Sequence, residues 1–218
     1  MDDARWQDEC VAESENTATT STSSTMTSTE QRIWDAAIEL FGRRGFAATG
    51  IRDIAREAGI TVATLYHYMT SKEELLCRVM VDAMNVQLTA ARPAETRYSD
   101  PRERIKHLVR QHVSFHCRFG LVARVTDSEL RSLNDGARHQ VVALRDEYEA
   151  IWQRTLEYGR EQGIFDIGDL KLTTRAVLGT CTSVYAWYRP DGPLSVDQIS
   201  DEYCAIVLRQ CVVHGTSS

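Results

Sequence analysis

An all-α fold is predicted by three features of this 218-residue sequence. Apolar residues recur at three- and four-residue spacings through most of the chain, the period of one helical face. Four prolines and twelve glycines are few enough for long helices. Alternating β-branched runs, which would mark strands, are scarce. The expected architecture is an N-terminal three-helix domain with helix-turn-helix spacing, followed by a larger helical domain.

The elements are expected in this order. Residues 14–29, SENTATTSTSSTMTST, hold twelve Ser or Thr, so they cannot offset their ordering entropy by burial. Residues 1–28 are therefore expected to form a disordered tail. Ile33, Ala36, Ala37, Leu40 and Phe41 make one apolar stripe, predicting a helix over 30–44. Arg43, Arg44 and then Gly45 fit its basic last turn and C-cap. Thr49 is a candidate cap for a helix at 50–57, with Ile51, Ile54, Ala55 and Ala58 inward and Gly59 breaking it. Thr61 can cap a short helix at 62–68. Ser71 and Glu74 have capping-box spacing for a fourth helix that buries Leu75 and Val79. Residues 29–75 form the first expected domain, and short helices joined by a glycine turn have helix-turn-helix spacing.

Residues 76–213 form the second expected domain, with 214–218 as a tail. Longer helices are predicted at 102–118, 136–161, 169–188 and 195–213, with a shorter helical segment at 121–130. Pro190 and Pro193 stiffen the last connection, and Ser195 with Gln198 has box spacing for the final helix.

Lys plus Arg is 25 and Asp plus Glu is 31, a formal net charge of −6. That argues against a chain coated with positive charge, while leaving room for a local nucleic-acid surface. No apolar run approaches ~20 residues, so no membrane span is expected. The opening MDDARWQDEC lacks a basic start and an apolar core, so no secretory signal is expected. The six cysteines show no CxxC spacing and read as reduced thiols of a cytoplasmic protein. His112 and His116 lie four apart beside Cys117, but no HExxH occurs and no third ligand stands at supportive spacing. No catalytic residue, metal site or cofactor is expected.

In the 62–68 segment Thr61, Val62, Thr64 and His67 are candidates for an exposed face, while Ala63 and Leu65 suit packing. A helix fits the major groove of B-DNA, where Thr and Val methyls can meet a thymine methyl. Thr49, Tyr66, Tyr68 and Lys72 are candidate backbone contacts. Between residues 28 and 75 there are six basic and seven acidic residues, so specificity must come from geometry rather than a general grip.

This stretch resembles the TetR family of bacterial transcriptional regulators. The resemblance runs through Phe46, Thr49, I51-R-D-I-A-R-E-A-G59, L65-Y-H-Y68 and S71-K-E-E-L75. It implies an all-helical homodimer with a DNA-binding domain and a larger ligand-binding, dimerising domain. By position it implies phosphate contacts from Thr49 and Lys72, and in part from Tyr66 and Tyr68. Val62, Ala63, Thr64 and His67 would lie at or near the bases. Gly50 stands where a second Thr or Ser is common, and Met69 where Phe is usual.

W187-Y-R-P-D-G-P-L-S-V-D-Q-I-S-D-E-Y203 and I206-V-L208 resemble a branch of that family controlling fatty-acid and sterol breakdown. That implies a repressor of a double-stranded DNA operator, released by a small apolar effector or an acyl-coenzyme A. Expected ligand-lining residues are His112, Phe115, His116, Phe119, Tyr148, Trp152, Cys181 and Tyr185. Expected dimer residues are Leu172, Ala176, Gly179 and Ser183, with Ile199, Tyr203, Ile206 and Val207 on the last helix. Two alternatives stand beside this reading: a repressor of a drug-efflux gene responding to amphipathic drugs, and a helical protein-interaction adaptor without DNA binding.

Overall fold

A computed structural model describes residues 27–211. The expected tails lie outside the described residues, apart from positions 27 and 28. The described residues form ten α-helices and two 3-10 turns. They are α1 (Ser28–Arg44), α2 (Ile51–Glu57), α3 (Val62–Leu65), α4 (Lys72–Ala91), α5 (Pro93–Arg97), α6 (Pro101–Arg118), α7 (Gly120–Ser128), α8 (Asp135–Glu161), α9 (Leu170–Thr182) and α10 (Val196–Cys211). The 3-10 turns are Leu130–Ser132 and Ser183–Ala186.

Two compact units result. The first takes the described residues as far as Val86 together with Leu121–Leu144. The second takes Gln87–Gly120 and the described residues from Arg145 onward. The boundary expected at 75/76 falls inside α4. A helix is a continuous rod, so the end of a sequence motif need not end its packing. Here Leu75, Leu76, Val79 and Met80 carry the apolar face of α4 onward through Ala83 and Met84 within the first unit.

In the first unit α1 begins earlier than the tail composition suggests. Thr27 accepts from the Glu30 amide, and the Glu30 carboxylate accepts from the Thr27 amide at 2.9 Å. That reciprocal cap lies hidden at the end of the Ser/Thr tract. Ile33, Trp34, Ala37, Leu40 and Phe41 are buried, and Gly45 closes the helix at φ +82°, a left-handed conformation that favours glycine. The core continues through Ile54, Ala55, Leu65, Val122 and Val125.

The second unit packs α10 against α6 and buries Ile105, Leu108, Val109, Trp152, Leu156, Val177 and Cys211. The Ser195–Gln198 box forms in both directions, at 2.9 and 3.2 Å. The helix expected at 169–188 is α for its first part and tightens to 3-10 after Thr182.

Candidate nucleic-acid interface

The turn between α2 and α3 is set by Gly59, at φ +64°. Its amide donates to the Arg56 carbonyl, and Ile60 donates to Ala55 at 2.9 Å, so the chain reverses within three residues. Thr61 caps α3: its hydroxyl oxygen accepts the Thr64 amide at 3.0 Å and lies 2.8 Å from the Thr64 hydroxyl. The α-helical part ends at Leu65, shorter than the predicted 62–68. The turn continues through His67 and Tyr68, whose amides donate to the carbonyls of Thr64 and Leu65.

Leu65 anchors the segment, with no exposed surface. Met69 anchors its far end and is also buried. Between these anchors and just before them, Thr61, Ala63, Tyr66 and His67 are exposed, and Val62, Thr64 and Tyr68 are half-buried. Ala63 therefore faces solvent rather than taking the packing role its spacing suggested. The arrangement is one apolar peg beneath a surface of hydroxyls, methyls and one imidazole, the side-chain kinds that read base edges and phosphates.

Two expected phosphate contacts have other partners. Thr49 is buried, and its hydroxyl donates to the Gly45 carbonyl at 2.9 Å. The N-cap of α2 is Gly50, whose amide donates to the Asp53 carboxylate at 3.1 Å. Thr49 thus does not cap α2; its hydroxyl ties the α1–α2 loop back to the end of α1. Lys72 donates from Nζ to the carbonyls of Phe46 (2.9 Å) and Thr49 (2.8 Å). Two of its three N–H groups are thereby committed to the α1–α2 loop.

In the second unit most of the expected ligand-lining residues form one buried aromatic cluster. The His112 and His116 rings stack with centroids 4.0 Å apart. Trp152 meets His112 edge-on at 5.7 Å, Phe115 meets His116 at 5.4 Å, and Phe119 lies 5.5 Å from Phe115. His112 bridges two hydroxyls, Tyr148 at 3.1 Å on Nδ1 and Thr182 at 2.9 Å on Nε2. His116 donates from Nδ1 to the His112 carbonyl at 2.7 Å, since a carbonyl can only accept. Burial holds His112 well below the ordinary imidazole range and takes His116 down to about 4, so both rings are neutral at pH 7. Cys181 is fully buried, its thiol pushed up to about 12 by burial, and Tyr185 is half-buried at 6.5 Å from His116.

The Trp152 indole N–H and the Thr155 hydroxyl, one turn apart on α8, are buried without a hydrogen bond of normal geometry. A groove of about 470 Å³ lies elsewhere, in the first unit, bordered by Ser71, Cys77, Arg78, Asn134 and Gln140. None of the expected ligand-lining residues borders it. Among the described residues no cluster of His, Cys, Asp and Glu could hold a metal ion, and no helix is long and apolar enough to cross a membrane.

Of the expected dimer residues, Leu172, Ala176 and Gly179 with Ser183 run along one side of α9 and its extension, with Leu172 strongly exposed. Ile199 and Val207 are buried within the chain's own second unit, where α10 packs on α6, and so they do not form an outward face. Tyr203 and Ile206 are half-buried.

Residues 33–79 match the family described as "Bacterial regulatory proteins, tetR family", and residues 98–211 match "Tetracyclin repressor-like, C-terminal domain". The chain is 32% identical over 180 residues to the HTH-type transcriptional repressor KstR2 of Rhodococcus jostii, covering 81% of this chain and 87% of that protein. Among solved structures it resembles the ketosteroid transcriptional regulator KstR2 of Mycobacterium tuberculosis at 26% identity and a TM-score of 0.81, covering 87% of this chain and 98% of that one. It also resembles the regulator PfmR of Thermus thermophilus at 31% identity and a TM-score of 0.75, covering 82% and 97%. The two family domains, at 33–79 and 98–211, thus follow one another along the sequence in family order, and the chain belongs to the TetR family of bacterial transcriptional regulators.

Proposed function

We propose that this protein is a homodimeric repressor that leaves its operator when a small apolar effector or an acyl-coenzyme A enters the second unit. The observation that carries the reading is the exposed 61–68 surface fixed over buried Leu65, because a base-reading segment must be both rigid and bare. Val62, Ala63, Thr64 and His67 read bases, while Thr61, Tyr66 and Tyr68 meet the backbone. Two copies are needed because one such segment spans only a few base pairs, and a two-fold dimer presents two to successive turns of the duplex. Leu172, Ala176, Gly179 and Ser183 supply a small-residue face for close helix approach across that axis, with half-buried Tyr203 and Ile206 on α10 as further candidates.

The effector class is read from the second unit and from the relatives. Aromatic walls with a few polar tips suit an apolar ligand with one orienting group. The buried Thr155 hydroxyl, which has no hydrogen-bond partner, is a polar group of the kind a ligand oxygen would satisfy. The similar M. tuberculosis protein is a ketosteroid transcriptional regulator, which supports a sterol-derived effector here. Ligand that favours a second arrangement of the dimer lowers operator affinity by population shift.

Fluorescence anisotropy with the DNA upstream of the protein's own gene tests this reading. Sequence-dependent binding that is reversed by oleoyl-coenzyme A or a steroid-ring thioester is expected. Binding with no sequence preference would overturn the repressor reading. Specific binding insensitive to both thioesters, and to the free fatty acid and steroid, would overturn the effector class. A monomer at working concentration, by sedimentation, would overturn the dimer.

A further inference from the structure

Phe46 is gripped from both sides of its peptide. Its amide donates to Glu129 Oε1 at 3.0 Å. Its carbonyl accepts from Lys72 Nζ at 2.9 Å, and the same ammonium stands 4.0 Å from the centre of the Phe46 ring. The ring is buried and lies 5.3 Å from Phe41. Phe46 therefore fixes the loop from Gly45 to Gly50 that delivers the chain into α2, and α2 in turn packs against α3.

Glu129 follows directly after α7, 83 residues from its partner. Its second oxygen accepts from the Ser132 hydroxyl at 2.7 Å, so both carboxylate oxygens are engaged. The end of α1 leaves no slack here: a Cβ on Gly42 would stand 2.9 Å from Leu121 Cδ2, and one on Gly45 would stand 3.4 Å from Glu129 Oε1. All these residues lie in the first unit. The chain enters α7 straight from α6, the helix that carries His112, Phe115 and His116.

We propose that Glu129 is a positioning residue for DNA binding: its carboxylate latches the α1–α2 loop to the end of α7 and sets how α2 and α3 are presented to the duplex. The proposal rests on the repressor reading and adds a residue outside the helix-turn-helix that fixes its entry loop. With the latch closed, the Phe46 peptide is held between a carboxylate and an ammonium, and the loop has one conformation. With α7 displaced, Lys72 alone holds the carbonyl side, and α2 and α3 lose a fixed entry angle. Specific affinity then falls, because reading base edges demands register that non-specific contact does not.

The test uses the full-length chain as wild type, Glu129→Gln, Glu129→Asp and Glu129→Ala. Gln keeps an acceptor oxygen at the right reach, whereas Asp keeps the charge but is one methylene short. Amide hydrogen exchange by NMR reads the latch itself. The Phe46 amide is expected to lose about tenfold or more of its protection in the Asp and Ala variants and to keep it in Gln. Binding to a duplex selected by the wild-type protein from random-sequence DNA is expected to weaken about tenfold in Asp and Ala and to stay near wild type in Gln. Binding to an unrelated duplex should change little in all three. A Phe46 amide equally protected in Asp, or equal losses on specific and unrelated DNA, would overturn the proposal. If the wild-type protein selects no duplex at all, the repressor reading fails, while the Phe46 exchange rates still decide whether the latch exists.

Discussion

Gly159 on α8 faces the ring of Phe165 so closely that a Cβ at that position would stand 2.0 Å from Cδ2. The Ile164 and Phe165 amides both donate to the Gly159 carbonyl, at 2.9 and 3.0 Å, and Gly163 just before them holds φ +66°. The chain thus folds back on its own helix end and seats the buried Phe165 ring against a bare backbone. The Asp166 amide then donates to the Cys211 carbonyl at 2.7 Å, tying this turn to the end of α10. Gly159→Ala must push Phe165 aside, an overpacking change of about 1–3 kcal/mol. Thermal melting should show a fall of several degrees, and pairing the change with Phe165→Leu should restore part of it. An unchanged melting temperature in the single variant would contradict this packing.

Lys72 offers a sharper choice between two roles. A lysine that touches phosphate contributes about one unit to the slope of log affinity against log salt. A lysine that staples a loop contributes to posture without changing that slope. With two N–H groups held by Phe46 and Thr49, the second role is expected to dominate. Lys72→Ala should weaken specific DNA binding and lower the melting temperature, while the salt slope moves by less than about half a unit. A slope change near one unit with an unchanged melting temperature would return Lys72 to the phosphate.

The stacked imidazoles give the second unit a signed pH dependence. Burial lowers both His112 and His116 from 6.5, His116 to about 4. Between those values the unfolded chain binds more protons than the folded one, so stability rises with pH. The stabilisation is therefore complete above about pH 6.5 and is lost as pH falls toward 4. Melting temperature should drop from pH 7.5 to pH 5, and the drop should shrink in His116→Leu. An identical drop in that variant would assign the effect to other groups.

Much of this is legible in the sequence because it is local. The stripe from Ile33 to Phe41, the Gly45 cap, the Thr61 cap and the Ser195–Gln198 box are each written within a few residues. The Thr27–Glu30 cap is equally local, but it sits inside a low-complexity run that otherwise reads as tail. What spacing does not resolve is the choice among partners for one hydroxyl or ammonium. Thr49 stands at a plausible cap position, yet its hydroxyl goes to the Gly45 carbonyl instead. Ile199 and Val207 are apolar on a helix that could bury them in two ways, and periodicity alone does not say whether α6 or a second copy covers them. The Glu129–Phe46 contact joins residues 83 apart, beyond the reach of any spacing rule.

On the proposed reading the bare surface above Leu65 meets base edges, and His67 is expected to discriminate most among them, because imidazole can both donate to and accept from a base edge. The direct measurement is the affinity of wild type and His67→Ala for a duplex selected by the wild-type protein, set against an unrelated duplex at the same salt. A loss of about tenfold on the selected duplex, with little change on the unrelated one, is predicted. Equal losses on the two duplexes, or no loss on either, would contradict the account.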